Sequence, residues 1–143
     1  MKEHFKSLSL FALLIMLCAF SLNVNAQEEV FDNNEPIFTV VEDPTEFPGG
    51  KDSLNKFISD NIIYPQEALD KGIEGKVYIT FVVEKDGSIN DIKIIRDIGY
   101  GCGEEAKRIV KLMPKWKPAK QRGKFVRQQF VLPVNFNLAS DEE

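Results

Sequence analysis

The chain has 143 residues, of which 43% are hydrophobic and 28% are charged, and its formal net charge is −4. A chain of this length forms one domain at most, and its composition excludes collagen-like, disulfide-framework and wholly disordered proteins. The single histidine is His4, which excludes the many enzymes that need a histidine in the body of the chain.

The first 26 residues have the pattern of a secretory signal peptide. A basic start precedes the uncharged stretch Leu8–Leu22, and Ala26 stands before the polar Gln27. This pattern predicts export to the periplasm with cleavage after Ala26. The alternative is an uncleaved inner-membrane anchor facing the periplasm, although a spanning helix needs about 20 apolar residues. A lipoprotein signal at Cys18 is disfavoured by the bulky Leu17 before it.

Residues 27–44 are acidic and contain two prolines, so we expect a flexible leader with one extended piece over 37–41. A turn at residues 47–50 precedes a helix from Asp52 or Ser53 to about Asn61, because apolar residues recur there at helical spacing. A second short helix is predicted over 66–71, since proline favours the first helical position and glycine the end.

The sequence patterns in the second half of the chain predict two strands, then a helix, then a last strand. Residues 76–83 are mostly β-branched and aromatic, with Val77, Ile79, Phe81 and Val83 on one face, and Asp86-Gly87 is a strong hairpin signal. The apolar spacing in 88–96 is irregular and indicates a bulge. A helix begins near Glu104 and ends at Pro114, and a last strand covers 125–138. The predicted fold class is α+β: a small three-stranded antiparallel sheet with two to three helices packed on one face.

The residues predict no catalytic site, no metal and no cofactor. After cleavage Cys102 would be the single cysteine, in the tight turn Gly101-Cys102-Gly103, and the acids Glu104 and Glu105 oppose thiolate formation. A cysteine nucleophile also needs a nearby base, and one cysteine without histidine does not form a structural zinc site. Neither a P-loop nor a complete dinucleotide fingerprint occurs. We therefore expect a protein that is not an enzyme.

Charge is distributed asymmetrically, which concerns partners rather than fold. Residues 107–127 hold nine bases and no acid, whereas the leader is acidic. A solvated helix face and loop is one interpretation, and an acidic partner is the other. Nucleic acid is not expected for an exported protein. Trp116, between Lys115 and Lys117, is either an aromatic that closes the core or an anchor on an exposed rim.

A set of short motifs occurs in a defined order: Tyr64-Pro65 with Ala68, Gly75, Asp86-Gly87, Glu105-Ala106, Met113-Pro114-Lys115-Trp116-Lys117-Pro118 and Pro133-Val134-Asn135-Phe136. Together they resemble the C-terminal domain of TonB over residues 45–138. The preceding Phe47-Pro48-Gly49-Gly50 is similar to the form common in TonB-like proteins of the Bacteroidetes. Residues 139–143 then form an acidic tail.

The resemblance implies a periplasmic domain that binds the TonB box, a short segment of a TonB-dependent outer-membrane transporter, as a strand beside its last strand. It implies a role in energy-coupled uptake of siderophores and other nutrients. The long last strand agrees with this, because a sheet edge offers unpaired backbone groups to another chain. The expected strand contacts are Phe125, Val126, Arg127, Gln128, Gln129, Phe130 and Val131. The expected basic and aromatic rim is Lys115, Trp116, Lys117, Lys120, Arg122 and Lys124.

Two features separate this chain from a full transducer. Its apolar segment is short, with His4 outside it, and its leader of about 18 residues spans at most roughly 65 Å. A cleaved protein would bind transporters without energising them. The alternatives are an anchored short transducer driven by the inner-membrane ExbB–ExbD motor, or an envelope protein that binds peptidoglycan or forms a homodimer through the same edge. Gln128 and Gln129 are expected to stay solvated, and an edge closed by the leader would contradict docking.

Overall fold

A computed structural model describes residues 34–138. The predicted signal peptide or anchor, the first part of the leader and the acidic tail lie outside these residues. None of the helices within 34–138 is long and apolar enough to cross a membrane.

The described residues form an α+β fold, as predicted. In chain order the elements are β1 Ile37–Phe38, α1 Gly50–Asn61, α2 Gln66–Asp70, β2 Gly75–Val83, β3 Ile89–Arg96, α3 Cys102–Leu112, β4 Ala119–Gln121 and β5 Lys124–Phe136. The three helices and three long strands are confirmed. The short strands β1 and β4 are additions, so the sheet has five strands rather than three.

The sheet is centred on β2, which is antiparallel to both β3 and β5. The pairing of β2 with β5 is unbroken from Gly75 opposite Phe136 to Val83 opposite Gln128. The pairing of β2 with β3 contains two register shifts, which confirms the predicted irregularity. β1 lies parallel to β5 on the side away from β2, and β4 pairs with the start of β5. These two short strands extend the sheet around β5.

The core lies on one face of the sheet, where the alternating side chains of β2 meet the helices. Val77, Ile79, Phe81 and Val83 are fully buried, because every second residue of a strand points to the same face. The apolar stripe of α3 covers this face, and Ala106, Ile109 and Val110 are buried. The helices therefore pack where the periodicity predicts.

Trp116 closes the core. It is 3% exposed, and its ring contacts Phe47, Phe81 and Phe130 at centroid distances of 5.6, 5.3 and 4.9 Å. Its indole N–H is the one buried side-chain donor without a hydrogen-bond partner among residues 34–138. The interpretation of Trp116 as an anchor on an exposed rim is wrong, because burial of so large an apolar ring between three others outweighs its exposure beside two lysines.

The first helix starts earlier than its sequence indicates. Gly49 occupies the N-cap position with φ 85°, a left-handed conformation that favours glycine. Ser53, predicted as a cap, lies inside α1 and its hydroxyl donates to the Gly49 carbonyl at 3.2 Å. Leu54 is buried, and Phe57 and Ile58 pack against the core. The helix thus has the predicted apolar face but a glycine start.

The side chains of Arg108 and Glu105 on α3 hold the end of α1. Arg108 donates to Glu105 through Nε at 2.8 Å and Nη2 at 2.6 Å, and Nη2 also donates to the Asn61 carbonyl at 2.7 Å. The backbone N–H of Ile63 donates to Glu105 at 2.7 Å. Burial would raise the pKa of the Glu105 carboxyl, but these hydrogen bonds and the Arg108 charge outweigh it and lower the pKa. The end of α1 is thereby tied to α3.

Cys102 is the first residue of α3 and is fully buried. Burial raises the pKa of its thiol, and the nearby Asp97 raises it further. The thiol is therefore protonated at neutral pH and makes part of the core.

Candidate functional site: the edge of the last strand

The neighbours of β5 change along its length. Its first three residues, 124–126, pair with β4, and Arg127 and Gln128 pair with β1. From Gln128 to Phe136 it pairs with β2. Beyond Gln128, β5 therefore has a strand on one side only, within the part of the chain that the structure describes.

Pro133 identifies the backbone groups that point to this open side. It lies opposite Tyr78 of β2 but has no N–H. Opposed residues in an antiparallel pair exchange either both hydrogen bonds or none, so this pair exchanges none. Because the register is unbroken, Gln129, Val131 and Asn135 also turn their N–H and C=O groups away from β2. We call the stretch from Gln129 to Asn135 the open edge.

A groove runs along the open edge, between β5 and α1. It consists of two adjoining cavities of about 320 Å³ and 530 Å³, which share Asn55 of α1 and Pro133 of β5. Leu132 and Pro133, whose side chains point to opposite faces of the sheet, both line the first cavity. The groove therefore follows the strand edge rather than one face of the sheet.

The two ends of the groove differ in chemistry. The end near the start of α1 is mainly apolar, with walls that include Phe47, Leu54, Trp116, Phe130 and Leu132. The other end carries more polar groups, among them Ser59, Tyr64, Asn135 and Asn137. An extended segment on the open edge would place alternate side chains in these two environments.

The earlier part of β5 is closed by the chain's own leader. Ile37 and Phe38 lie opposite Arg127 and Gln128 in a parallel pairing. This short strand lies within the extended piece expected over 37–41, and it holds the described part of the leader against β5. We call residues 35–46 the leader strap.

Gln128 is buried at 6% exposure, which contradicts the expectation that it stays solvated. Its side-chain Oε1 accepts from the Thr45 N–H at 2.7 Å, and Nε2 donates to the Thr39 carbonyl at 3.4 Å. The strap replaces water as the partner of this amide. Gln129, by contrast, is exposed as predicted.

Arg127 belongs to a buried ion pair rather than to a free strand edge. Its Nε and Nη2 donate to Glu84 at 2.7 and 3.1 Å, and its Nη1 donates to the Glu35 carbonyl at 3.0 Å. The side chains of Arg127 and Glu84 are 10% and 5% exposed. The hydrogen bonds to Glu84 raise the pKa of Arg127. Glu35 forms a further ion pair with Lys85, so Arg127 and Lys85 together hold the start of the strap.

The predicted basic rim faces the acidic strap. Asp43 and Lys120 exchange backbone hydrogen bonds of 3.1 and 2.9 Å, and Glu46 and Lys117 exchange bonds of 3.2 and 2.8 Å. The N–H of Arg122 donates to the Glu42 carboxylate at 3.2 Å. Opposite charges on directly opposed strand residues stabilise the pairing.

The remaining predicted residues lie in varied surroundings. Phe125 is 50% exposed, with the Lys120 ammonium 4.9 Å from the centroid of its ring. Val126 is half-buried opposite Ala119. Lys124 is exposed at the start of β5, and Lys115 forms a 3.6 Å ion pair with Asp86. Phe130 faces the core, and Val131 is 50% exposed at the open edge.

The structure thus divides the predicted strand contacts in two. Phe125 to Gln128 already have partners, whereas Gln129 to Val131 begin the open edge. Sequence reasoning missed the α1 wall of the groove and the strap that closes the first part of β5. Among residues 34–138, no group of three or more His, Cys, Asp or Glu side chains is arranged to hold a metal.

The chain is similar in sequence to a known protein family. Residues 60–138 match the family described as Gram-negative bacterial TonB protein C-terminal. Protein TonB of Helicobacter pylori is 35% identical over 63 residues, covering 41% of this chain and 22% of the relative. Protein TonB of Pseudomonas aeruginosa is 33% identical over 69 residues, covering 47% and 20%. The chain spans about a fifth of the length of these curated relatives.

Solved structures with similarity to the chain include two determined by NMR in solution. The Pseudomonas aeruginosa TonB CTD has a TM-score of 0.44 at 26% identity, covering 56% of this chain and 81% of that one. A Helicobacter pylori TonB-CTD has a TM-score of 0.43 at 28% identity, covering 66% and 89%.

Proposed function

This chain belongs to the family of Gram-negative bacterial TonB C-terminal domains, and from that premise we propose that it is a periplasmic protein-binding module. Its partner is an extended segment, the TonB box, of a TonB-dependent outer-membrane transporter. The segment adds as a strand to the open edge of β5, in energy-coupled uptake of siderophores or other nutrients. The observation that carries the proposal is an unpaired strand edge that lines a groove.

The backbone of the open edge supports strand addition. Val131 offers outward N–H and C=O groups, and Pro133 offers a carbonyl alone, whereas the outward N–H of Gln129 borders Phe38 of β1. Main-chain hydrogen bonds of this kind provide affinity, and pockets for alternate side chains provide specificity. Pro133 also interrupts the donor row, which limits pairing with unintended chains. The edge is thus suited to a short segment rather than to a long strand.

The groove supports selection by side chain. An added strand directs every second side chain toward α1. At the first cavity it meets Phe47, Leu54 and Leu132, which suit an apolar side chain. About four residues further along the groove, the added strand meets Asn135 and Ser59 in the second cavity, which suit a polar side chain. Whether the apolar or the polar side chain comes first in the sequence of the segment depends on whether it binds parallel or antiparallel to β5.

Charge supports the approach of an acidic segment. Arg122 and Lys124 are exposed at the start of β5. Clustered charge of one sign increases the rate of encounter with a partner of the opposite sign, and salt reduces this effect. The basic rim therefore contributes to association rate more than to the lifetime of the complex.

The proposed activity is binding, with no catalytic step. Transmission of energy requires in addition an inner-membrane anchor in contact with the ExbB–ExbD motor. Mass spectrometry of the mature N terminus decides between these forms: a first residue Gln27 identifies a free periplasmic module, and an intact N terminus identifies an anchored transducer.

The decisive experiment is titration of the full chain with fluorescent peptides from the periplasmic segments of transporters of the same cell. We expect saturable binding, weakened about tenfold by Val131→Pro, which removes one outward N–H and places a ring against the added strand. Val131→Ala keeps the N–H and is the matched control. Absence of saturable binding by a chain that circular dichroism shows to be folded contradicts the proposal.

Self-association through the same edge is the second candidate, because the outward groups of Val131 could also accept another copy. Sedimentation velocity of the full chain tests it. A dimer that Val131→Pro dissociates would favour self-association over transporter binding.

A further inference from the structure

We infer that the leader strap, residues 35–46, is an internal occupant of the partner site, which an incoming strand displaces from Arg127 and Gln128. The inference rests on the proposed function and concerns the regulation of the same edge. The strap is then an autoinhibitory contact that the partner must overcome.

Continuity along one edge is the first support. β1 and β2 lie on opposite sides of β5, so β1 occupies the same side as the open edge. Phe38 of the strap lies opposite Gln128, and the open edge begins at the next residue. An added strand that grows past Gln129 toward the start of β5 therefore meets Phe38, and the two cannot both pair there.

Charge is the second support. The strap places Glu35 beside Lys85, Asp43 across from Lys120 and Glu46 across from Lys117. Lys117 and Lys120 of the basic rim thus already lie across from an acidic segment of the same chain. Electrostatic complementarity of this kind determines which strand a site accepts.

The weak apolar anchoring of the strap is the third support. Ile37 is 42% exposed and Val40 is 83% exposed, so the strap is held mainly by backbone and polar contacts. Segments with few buried apolar contacts open at low free energy. Phe47 follows the strap and is 7% exposed against Trp116 and Phe57. Release therefore extends from Glu35 to Glu46 and stops at Phe47.

Displacement leaves two buried groups that need a new partner. The strap supplies the acceptor for Arg127 Nη1 and both contacts of the Gln128 amide. Buried polar groups without partners are destabilising, so a backbone that takes over these bonds favours release of the strap. The apparent affinity of the site is the intrinsic affinity multiplied by the fraction of chains in which the strap is released.

A covalent lock tests the inference in the full chain. Asp43 and Lys120 exchange both backbone hydrogen bonds, which places their Cα atoms about 5.5 Å apart, within the usual range of about 4.4–6.8 Å for a disulfide. The variant Asp43→Cys with Lys120→Cys is locked when oxidised and free when reduced. Lys120→Cys alone controls for the lost base. The probe is a fluorescent peptide with the sequence of residues 34–41.

We expect the oxidised variant to bind the probe at least fivefold more weakly than the same protein after reduction. In the unlocked chain, Asp43→Pro removes one strap N–H and should bind the probe several-fold more tightly than wild type. Asp43→Ala keeps the N–H and loses only the charge across from Lys120, so its affinity for the probe should lie between those of wild type and Asp43→Pro. Equal affinities for the oxidised, reduced and Asp43→Pro forms, each folded by circular dichroism, would overturn the inference.

A transporter peptide, titrated in parallel, separates this inference from the proposed function. If it binds the oxidised and reduced forms equally, the strap is not displaced, and the proposed function stands. If the leader peptide shows the expected differences and no transporter peptide binds any form, strap occupancy is supported and the proposed function fails.

Discussion

The two halves of β5 differ in surroundings although they belong to one strand. In the first half, Arg127 and Gln128 are buried and their polar groups bond to Glu84 and to the leader strap. In the second half, Gln129 and Val131 are exposed and have a strand neighbour on one side within the described residues. Residues 128 and 129 are both glutamine, so residue type does not explain the difference. What differs is which remote segment lies beside each half.

The comparison shows two ways to protect a strand edge. The first half is covered by another segment of the chain, at the cost of burying polar groups that then need partners. The second half is left open, and Pro133 removes one donor from its outward row. A covered edge is stable until it is displaced, whereas an open edge is available at once.

The largest expected effect is at Arg127, in the covered half. Arg127→Leu leaves the Glu84 carboxylate buried without a counter-charge, with the Asn90 amide as its remaining side-chain donor, which should lower the free energy of unfolding by about 3–5 kcal/mol. Chemical denaturation measures this loss. The double variant Glu84→Leu with Arg127→Leu should recover most of it. A loss below about 1 kcal/mol for the single variant, as at exposed ion pairs, would mean that the pair is not buried in solution.

Proline substitution compares the two sides of β5 in the open half. Leu132→Pro removes an N–H that points to β2 and part of a buried side chain, and should cost about 3 kcal/mol or more. Val131→Pro removes an outward N–H and should cost less than about 1 kcal/mol. Thermal unfolding measures both. If Val131→Pro is the more destabilising of the two, the assignment of outward groups from Pro133 is incorrect.

The adjacent residues Gln128 and Gln129 allow the same substitution to be compared at a covered and at an open position of β5. Gln128→Ala removes the bonds to Thr45 and Thr39 and should cost about 1–3 kcal/mol, because the backbone groups of the strap lose their partner. Gln129→Ala removes an exposed side chain and should change stability by no more than about 0.5 kcal/mol. Denaturant midpoints compare them, and equal values would show that the strap does not cover Gln128.

A small effect is expected where Glu105 of α3 ties down the end of α1. Glu105→Gln weakens the bonds to Arg108 and Ile63 and should cost roughly 0.5–1 kcal/mol near neutral pH. The pKa of Glu105 is lowered in the folded chain, so its contribution is complete above the ordinary glutamate pKa of about 4.3. It disappears as pH falls through the folded-state pKa. Unfolding measured against pH should show the two chains converge in acid; a constant difference would contradict the assignment.

Much of the fold follows from local patterns. The alternation in residues 76–83 and 125–136 and the helical spacing around Ile109 and Val110 predict the three long strands and α3, because these periods reflect which face is buried. The irregular spacing after Asp86-Gly87 predicts the bulge. The start of α1 at Gly50 was not predicted, since a side-chain cap at Ser53 and a left-handed glycine at Gly49 are both acceptable local solutions.

The sequence by itself determined the elements, the apolar face of each and the family, because these depend on residues a few positions apart. The tertiary structure alone decided which part of β5 stays open. The contact of Thr45 with Gln128 joins residues 83 positions apart, and that of Glu35 with Arg127 joins residues 92 apart. Such pairings depend on where the whole chain brings its segments together, and neither Gln128 nor Gln129 carries a local signal that distinguishes them.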